Sequence, residues 1–235
     1  PIATIPIFTC SLLSWRGLPY QQRCVRARRV DPQGRGGKRC AATGIAGVTE
    51  HVQVPRLRGD QVKKTCIIGF GALGKQILDL LARAGETGRV VLFDDELHRQ
   101  GGENSFPFNS FQESQFADGD FYVALGYKHL PRKAEILQQL KAAGRRTPSF
   151  IHSSCHIHPT CRVGEGSIVY PMCNLDAEVE LASGVLLNNS VVISHNSTIG
   201  AAAYLSPGVV LSGHVTVAEM AFLGAGRTVA NGRRI

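Results

Sequence analysis

From Ile151 to the last residue the chain keeps a six-residue beat. Ile151, Ile157, Val163, Val169, Leu175, Leu181, Leu187, Ile193, Ile199, Leu205, Leu211, Val217, Leu223, Val229 and Ile235 are fifteen aliphatic residues in step, with no slip of phase. With roughly a quarter of residues aliphatic, chance produces such a run about once in 10⁹ trials. The fourth residue after each is small or β-branched from Cys155 through Ser167, Val185 and Ser197 to Ala221. A helix repeats near 3.6 residues and a half-buried strand at 2, so neither explains this pattern. A parallel β-helix of hexapeptide repeats does. In the left-handed form each hexad gives a short strand and a turn, and three hexads close a triangular coil of about 18 residues. The two patterned positions point inward, and stacked coils share one continuous core.

The same beat interprets the crowded stretch HSSCHIHPTC at residues 152–161. Its three histidines and two cysteines resemble a zinc set by composition. The period instead assigns Cys155 and Cys161 to inward positions of successive hexads and puts His156 and His158 on turns either side of Ile157. Core cysteines, with no metal, are the expectation.

The segment in front reads differently. KTCIIGF at 64–70 is an apolar strand that runs into Gly69-x-Gly71-x-x-Gly74 and then an amphipathic stretch, GALGKQILDLLARAGE. Glycines there let the backbone approach a phosphate, and the following helix N-terminus favours an anion. A second strand, RVVLFDD, ends in Asp94 and Asp95, where a ribose-binding acid belongs. A third, DFYVALG, ends at Gly126, followed by a helix with Pro131 in its first turn. A last short strand near 148–151 leads into the repeats. The α/β segment is half the size of a full dinucleotide fold, so one nucleotide suits it better than NAD.

Charge is uneven. Residues 1–63 carry 11 Lys/Arg against three acids, while the rest is balanced, with 15 of each. This basic leader has no nucleic-acid-binding motif, and nucleic acid is not an expected partner. It is expected to be disordered or the remnant of an upstream domain. No apolar run reaches the roughly 18–20 residues of a membrane span. Seven cysteines without a CxxC pair suit a reducing compartment, so a cytoplasmic location is expected. The expected organisation is a leader at 1–63, a Rossmann-like domain at 64–150 and a left-handed β-helix at 151–235.

The pieces IIGFGALGK, LFDD, YVALGYKHL, IHSSCHIHPTCRVGEG, LLNNSVVISHNSTIG and YLSPGVVLSGHVTV, in this order and spacing, resemble the sugar O- and N-acetyltransferase family. That family includes sialic-acid O-acetyltransferases and UDP-4-amino-sugar N-acetyltransferases of bacterial glycan pathways. The resemblance implies a homotrimer that takes acetyl-CoA in the groove between adjacent β-helices and acetylates a nucleotide-linked amino sugar. It makes His195 the general base, with Asn196 orienting the ring where relatives carry an acid. Gly213 is implied as the contact to the thioester carbonyl, and Ala225 as a further coenzyme contact. Gly71, Ala72, Leu73, Asp94, Asp95 and Gly126 are implied at the nucleotide-sugar site, with Leu73 standing where relatives have His. Imidazole changes protonation near neutral pH, which suits it to take a proton from an attacking amine or hydroxyl. The repeat supports this independently: Ala177 and Gly213, eighteen residues either side of His195, leave it standing in an open groove.

Two departures accompany the resemblance. Relatives continue for about two more coils and a short tail, so a C-terminally truncated β-helix is expected. Arg227 and Arg233 occupy inward small positions, where an unpaired guanidinium would cost several kcal/mol, and are expected to turn outward. A sugar-acid O-acetyltransferase and a non-catalytic truncated remnant are the alternatives.

Overall fold

The structure, a computed structural model, describes residues 63–235. The readings of the basic leader fall outside the described residues. Among the described residues no helix is long and apolar enough to cross a membrane.

The α/β part is a four-stranded parallel sheet. It comprises β1 (Lys64–Ile68), α1 (Ala72–Arg83), β2 (Arg89–Phe93), α2 (Asp95–Arg99), β3 (Ser105–Phe106), β4 (Asp120–Val123) and α3 (Leu130–Ala142), in the strand order β3-β2-β1-β4. Strand β3 was not anticipated, so DFYVALG contributes the fourth strand rather than the third. At two residues β3 is too short to show a period. Strands β1 and β4 are buried along nearly all their length, as expected for a parallel sheet covered on both sides. Phe93, Phe111, Phe116 and Phe121 pack edge-to-face and stacked around one side, with Ile136 and Leu140 of α3.

The anticipated strand near 148–151 pairs not with this sheet but with the repeats. Phe150–Ile151, Ile168–Val169, Leu186–Leu187, Tyr204–Leu205 and Phe222–Leu223 form the first face of a three-sided prism. His156–Ile157, Asn174–Leu175, Val192–Ile193, Val210–Leu211 and Thr228–Val229 form the second. Arg162–Val163, Glu180–Leu181, Thr198–Ile199 and Thr216–Val217 form the third. Every register partner lies eighteen residues away, for example Glu180 with Thr198, so three hexads make one coil of a parallel β-helix. His156 therefore sits in a strand with its side chain outward, rather than on a turn, while His158 does lie at a corner.

The inward column is dry: Leu175, Val179, Val185, Leu187, Val191, Ile193, Ile199, Leu205, Val209, Leu211 and Val215 are fully buried. Truncating any of the leucines to alanine is worth about 2–5 kcal/mol. Cys155, Cys161 and Cys173 join this core, and their thiols donate to the carbonyls of Tyr170, Asp176 and Asn188 at 3.0, 3.1 and 3.1 Å. Arg227 and Arg233 are exposed, as expected, while Val229 between them stays buried.

The prism turns its corners through left-handed residues. Glu178, Asn196, His214 and Gly232 stack at one corner with φ of 59°, 57°, 56° and 70°. The first face carries the largest apolar side chains on the outside of the prism. Phe150, Ile168, Leu186 and Tyr204 of the first face are buried against Ile67, Ile77, Leu81 and Tyr122 of the α/β sheet and helix. That stripe fixes the α/β part over the first face.

Candidate active site

His195 stands at the corner between the second and third faces, in Ser194-His195-Asn196-Ser197. The corner is held from within by Ser197, fully buried, whose hydroxyl donates to the carbonyl of Ser212 at 3.2 Å and accepts from the Val215 N–H at 3.1 Å. Backbone bonds lock it to its neighbours: Asn196 N–H to Ala177 C=O and His214 N–H to His195 C=O, each 3.0 Å. The imidazole itself is exposed.

Nδ1 of His195 lies 3.0 Å from Oδ1 of Asn196. An amide oxygen only accepts, so this bond places the ring proton on Nδ1 and leaves the Nε2 lone pair free to take a proton. Nε2 is directed over Gly213, where a β-carbon would stand 2.8 Å from both Nε2 and Cε1. Among the described residues the Gly213 N–H has no hydrogen-bond partner, while its carbonyl accepts from Gly232 at 3.0 Å. A free base and a free amide donor are thus neighbours, the pairing that acyl transfer through an oxyanion requires. The ring of His214 meets His195 edge-on, with centroids 5.1 Å apart.

The glycine turn forms a second candidate site. Gly69 adopts φ +85°, a β-carbon on Gly74 would collide with the Gly69 carbonyl at 2.3 Å, and one on Gly71 would meet nothing within 4 Å. Turn, helix packing and open backbone are the three duties of a phosphate-cradling loop. Gly71 is the N-cap of α1, and the first turn, beginning with Ala72, Leu73 and Gly74, has neither an acid nor a side-chain cap to compete with an anion. The strand order reverses between β1 and β4, and Gly126 follows β4 with open space where its β-carbon would be. Gly69 and Leu125 sit side by side across this switch point.

Asp94 and Asp95 are committed to the backbone. Asp94 caps α2 through Oδ1, accepting from Glu96 and Leu97, and its Oδ2 accepts from Phe70 at 2.9 Å. Partial burial works to raise this carboxyl, but the N–H groups of Leu97, Phe70 and Glu96 outweigh it and hold it below the usual carboxylate range. Asp95 accepts from the Phe108 N–H at 2.8 Å. The pair therefore shapes the rim of the crevice, and Asp94 ties the glycine loop to the end of β2.

No family model matches the sequence. Among solved structures, the acetyltransferase domain of PglB from Neisseria gonorrhoeae superposes with a TM-score of 0.66 at 28% identity, covering 73% of this chain and 84% of that one. The same domain in complex with acetyl coenzyme A gives 0.65 at 28% identity, over 74% and 85%. A mutant GDP-perosamine N-acetyl transferase from Caulobacter crescentus, in complex with CoA and GDP-perosamine, shares the fold at 0.62 and 21% identity, over 74% and 91%. The structural homologues are hexapeptide-repeat acetyltransferases.

Within this acetyltransferase fold the implied site residues do not all converge in one chain. His195, Asn196 and Gly213 share a corner. Ala225 is exposed at a different corner, between the first and second faces, away from them. The glycine crevice lies over the first face, opposite the His195 corner. Two features went unread in the sequence. Asn231 continues the column of His195 and Gly213 one coil further on, by the same eighteen-residue step. Tyr127, just after Gly126, stacks on Phe222 of the first face at 4.4 Å, with 48% and 44% of the two residues exposed.

Two open clefts lie elsewhere. One of about 430 Å³ separates α3, at Leu137 and Gln138, from the corner of Ser183 and Ala201. Another, of about 370 Å³, lies where Gln76 and Asp79 of α1 face Tyr170 and Asn188. Neither is lined by a histidine, so geometry favours the open His195 corner.

Proposed function

We propose that the chain is an acetyl-CoA-dependent acetyltransferase that acetylates a nucleotide-linked amino sugar. The observation that carries this reading is His195 poised over Gly213, with Nδ1 on Asn196 and Nε2 free. The homologues support it: one is seen with acetyl coenzyme A and another with CoA and a nucleotide-linked amino sugar.

The acceptor nitrogen attacks the thioester carbonyl carbon, and a C–N bond forms while an N–H proton passes to Nε2. The Gly213 N–H steadies the developing oxyanion. The C–S bond then breaks, and the imidazolium returns its proton to the departing thiolate, giving an amide and the free thiol of CoA. The α1 N-terminus at Gly71, Ala72 and Leu73 receives the nucleotide phosphates, with Asp94, Asp95 and Gly126 around it.

The reading includes a homotrimer. In one chain the nucleotide crevice lies over the first face and His195 at the opposite corner, and a site shared between chains unites them. In such a trimer the His195 corner of one chain would meet the crevice of the next, with Ala225 beside the groove that would take acetyl-CoA.

The test is release of CoA thiol by the purified chain, with acetyl-CoA and a panel of nucleotide amino sugars, beside His195→Ala. Release that depends on one sugar and disappears in the variant supports the reading. Absence of release from a folded trimer overturns it.

A further inference from the structure

The column at the catalytic corner has a third member that contributes a functional group. The point where a Gly213 β-carbon would stand is 2.8 Å from Nε2 of His195 and 3.0 Å from Oδ1 of Asn231. The base comes from the coil before Gly213 and the amide oxygen from the coil after it. Nε2 and Oδ1 are therefore no further apart than the sum of these two distances, close enough for one nitrogen in front of Gly213 to reach both atoms with hydrogen bonds of ordinary length. Asn231 is exposed, and its coil is fixed by the Gly232 N–H to Gly213 C=O bond of 3.0 Å.

We infer that Asn231 touches the acceptor group and selects an amine over a hydroxyl. This rests on the acetyltransferase reading of His195. A neutral primary amine attacks with its lone pair and carries two N–H bonds. One proton goes to Nε2 as the C–N bond forms. The other stays on nitrogen throughout and becomes the amide N–H of the product, so Oδ1 of Asn231 can accept from it before, during and after the step. A hydroxyl has one hydrogen. Once that hydrogen is directed at Nε2, the hydroxyl offers Asn231 Oδ1 no donor, and the amide must turn its Nδ2 toward the oxygen to pair at all. Gly213 is part of the device, because any side chain there would fill the gap in which base and amide meet.

The measurement is CoA thiol release with two matched acceptors, a UDP-linked 4-amino sugar and the same compound with a 4-hydroxyl, using the intact chain and its Asn231→Ala and Asn231→Asp variants. The expected result for Asn231→Ala is a kcat on the amine lower by about tenfold or more, with KM for acetyl-CoA unchanged and the slower hydroxyl rate unaffected. Asn231→Asp keeps an acceptor oxygen and should restore the amine rate to within about threefold of wild type. Equal losses on both acceptors, an unchanged amine-to-hydroxyl ratio in Asn231→Ala, or a wild type that prefers the hydroxyl would each overturn the role of Asn231 and leave the acetyltransferase reading standing. A folded wild type that acetylates neither acceptor, nor any other sugar, overturns both.

Discussion

Gly213 gives His195 the space it occupies: a β-carbon at residue 213 would sit 2.8 Å from two atoms of the imidazole. The ring rests on bare backbone, and its free nitrogen is thereby held next to an N–H that has no partner among the described residues. This relationship makes the proposed catalytic corner sensitive to a single methyl group.

Gly213→Ala should cost activity and spare the fold. The intruding methyl meets the far end of a flexible side chain, so the imidazole moves rather than the coil. We expect kcat to drop by about tenfold or more, since a displacement near 1 Å can cost about a hundredfold, with Tm within a few degrees of wild type. Steady-state kinetics and thermal melts on one preparation decide it. A fully active variant would show that the ring has no fixed place.

Asn196 sets which ring nitrogen carries the proton, through the 3.0 Å contact with Nδ1. Asn196→Leu removes that acceptor while keeping size and should lower kcat by roughly tenfold, leaving KM for acetyl-CoA unchanged. Asn196→Asp adds a negative charge beside the imidazolium formed in the transition state and should raise kcat severalfold. The two variants moving in the same direction would contradict this assignment.

Lys133 lies on the buried face of α3, fully buried, and among the described residues its ammonium has no hydrogen-bond partner. Desolvation pushes its pKa down to about 8. The folded value is below the unfolded one, so between about pH 8 and 10.4 the unfolded chain binds more protons and stability rises with pH. Below about pH 8 both states are protonated and the full cost remains, on the order of 3 kcal/mol. Lys133→Met should therefore melt higher at pH 7 and lack this component of the alkaline rise. Parallel pH profiles for the two proteins would refute the prediction.

Tyr127 and Phe222 stack with an interplanar angle of 19° and join the α/β part to the first face of the prism. A double-mutant cycle to alanine should give a coupling of about 0.5–1.5 kcal/mol in urea unfolding. Additive effects would mean that the two rings stabilise their own parts independently.

The inward core was legible in the sequence because it recurs at every hexad. The docking stripe on the first face was not. Phe150, Ile168, Leu186, Tyr204 and Phe222 recur at every third hexad, and the mixed residues at the outward positions between them, such as Arg162, Asn174, Glu180 and Val192, break up the pattern. That His195 and Gly213 are neighbours could be read from the eighteen-residue coil, and Asn231 was one further step along the same arithmetic. The crevice was legible as glycine spacing, but the spacing could not say that Asp94 and Asp95 are bound to backbone amides. Those bonds depend on α2 and on the turn at Phe108, which have no period of their own. The place of Ala225 depends on which corner a residue turns, and the six-residue period alone treats all three corners alike.

The in-register pairing of residues eighteen apart also makes the molecule discrete in its dimensions. An insertion of one residue, or of seven, rotates everything beyond it onto the wrong side and empties the core, whereas eighteen residues can enter or leave without altering a single inward position. The height of the histidine relative to the glycine crevice is therefore a whole number of rungs, each about 4.8 Å. A chain of this design can be refitted to a longer or shorter acceptor only by moving the histidine to the next rung.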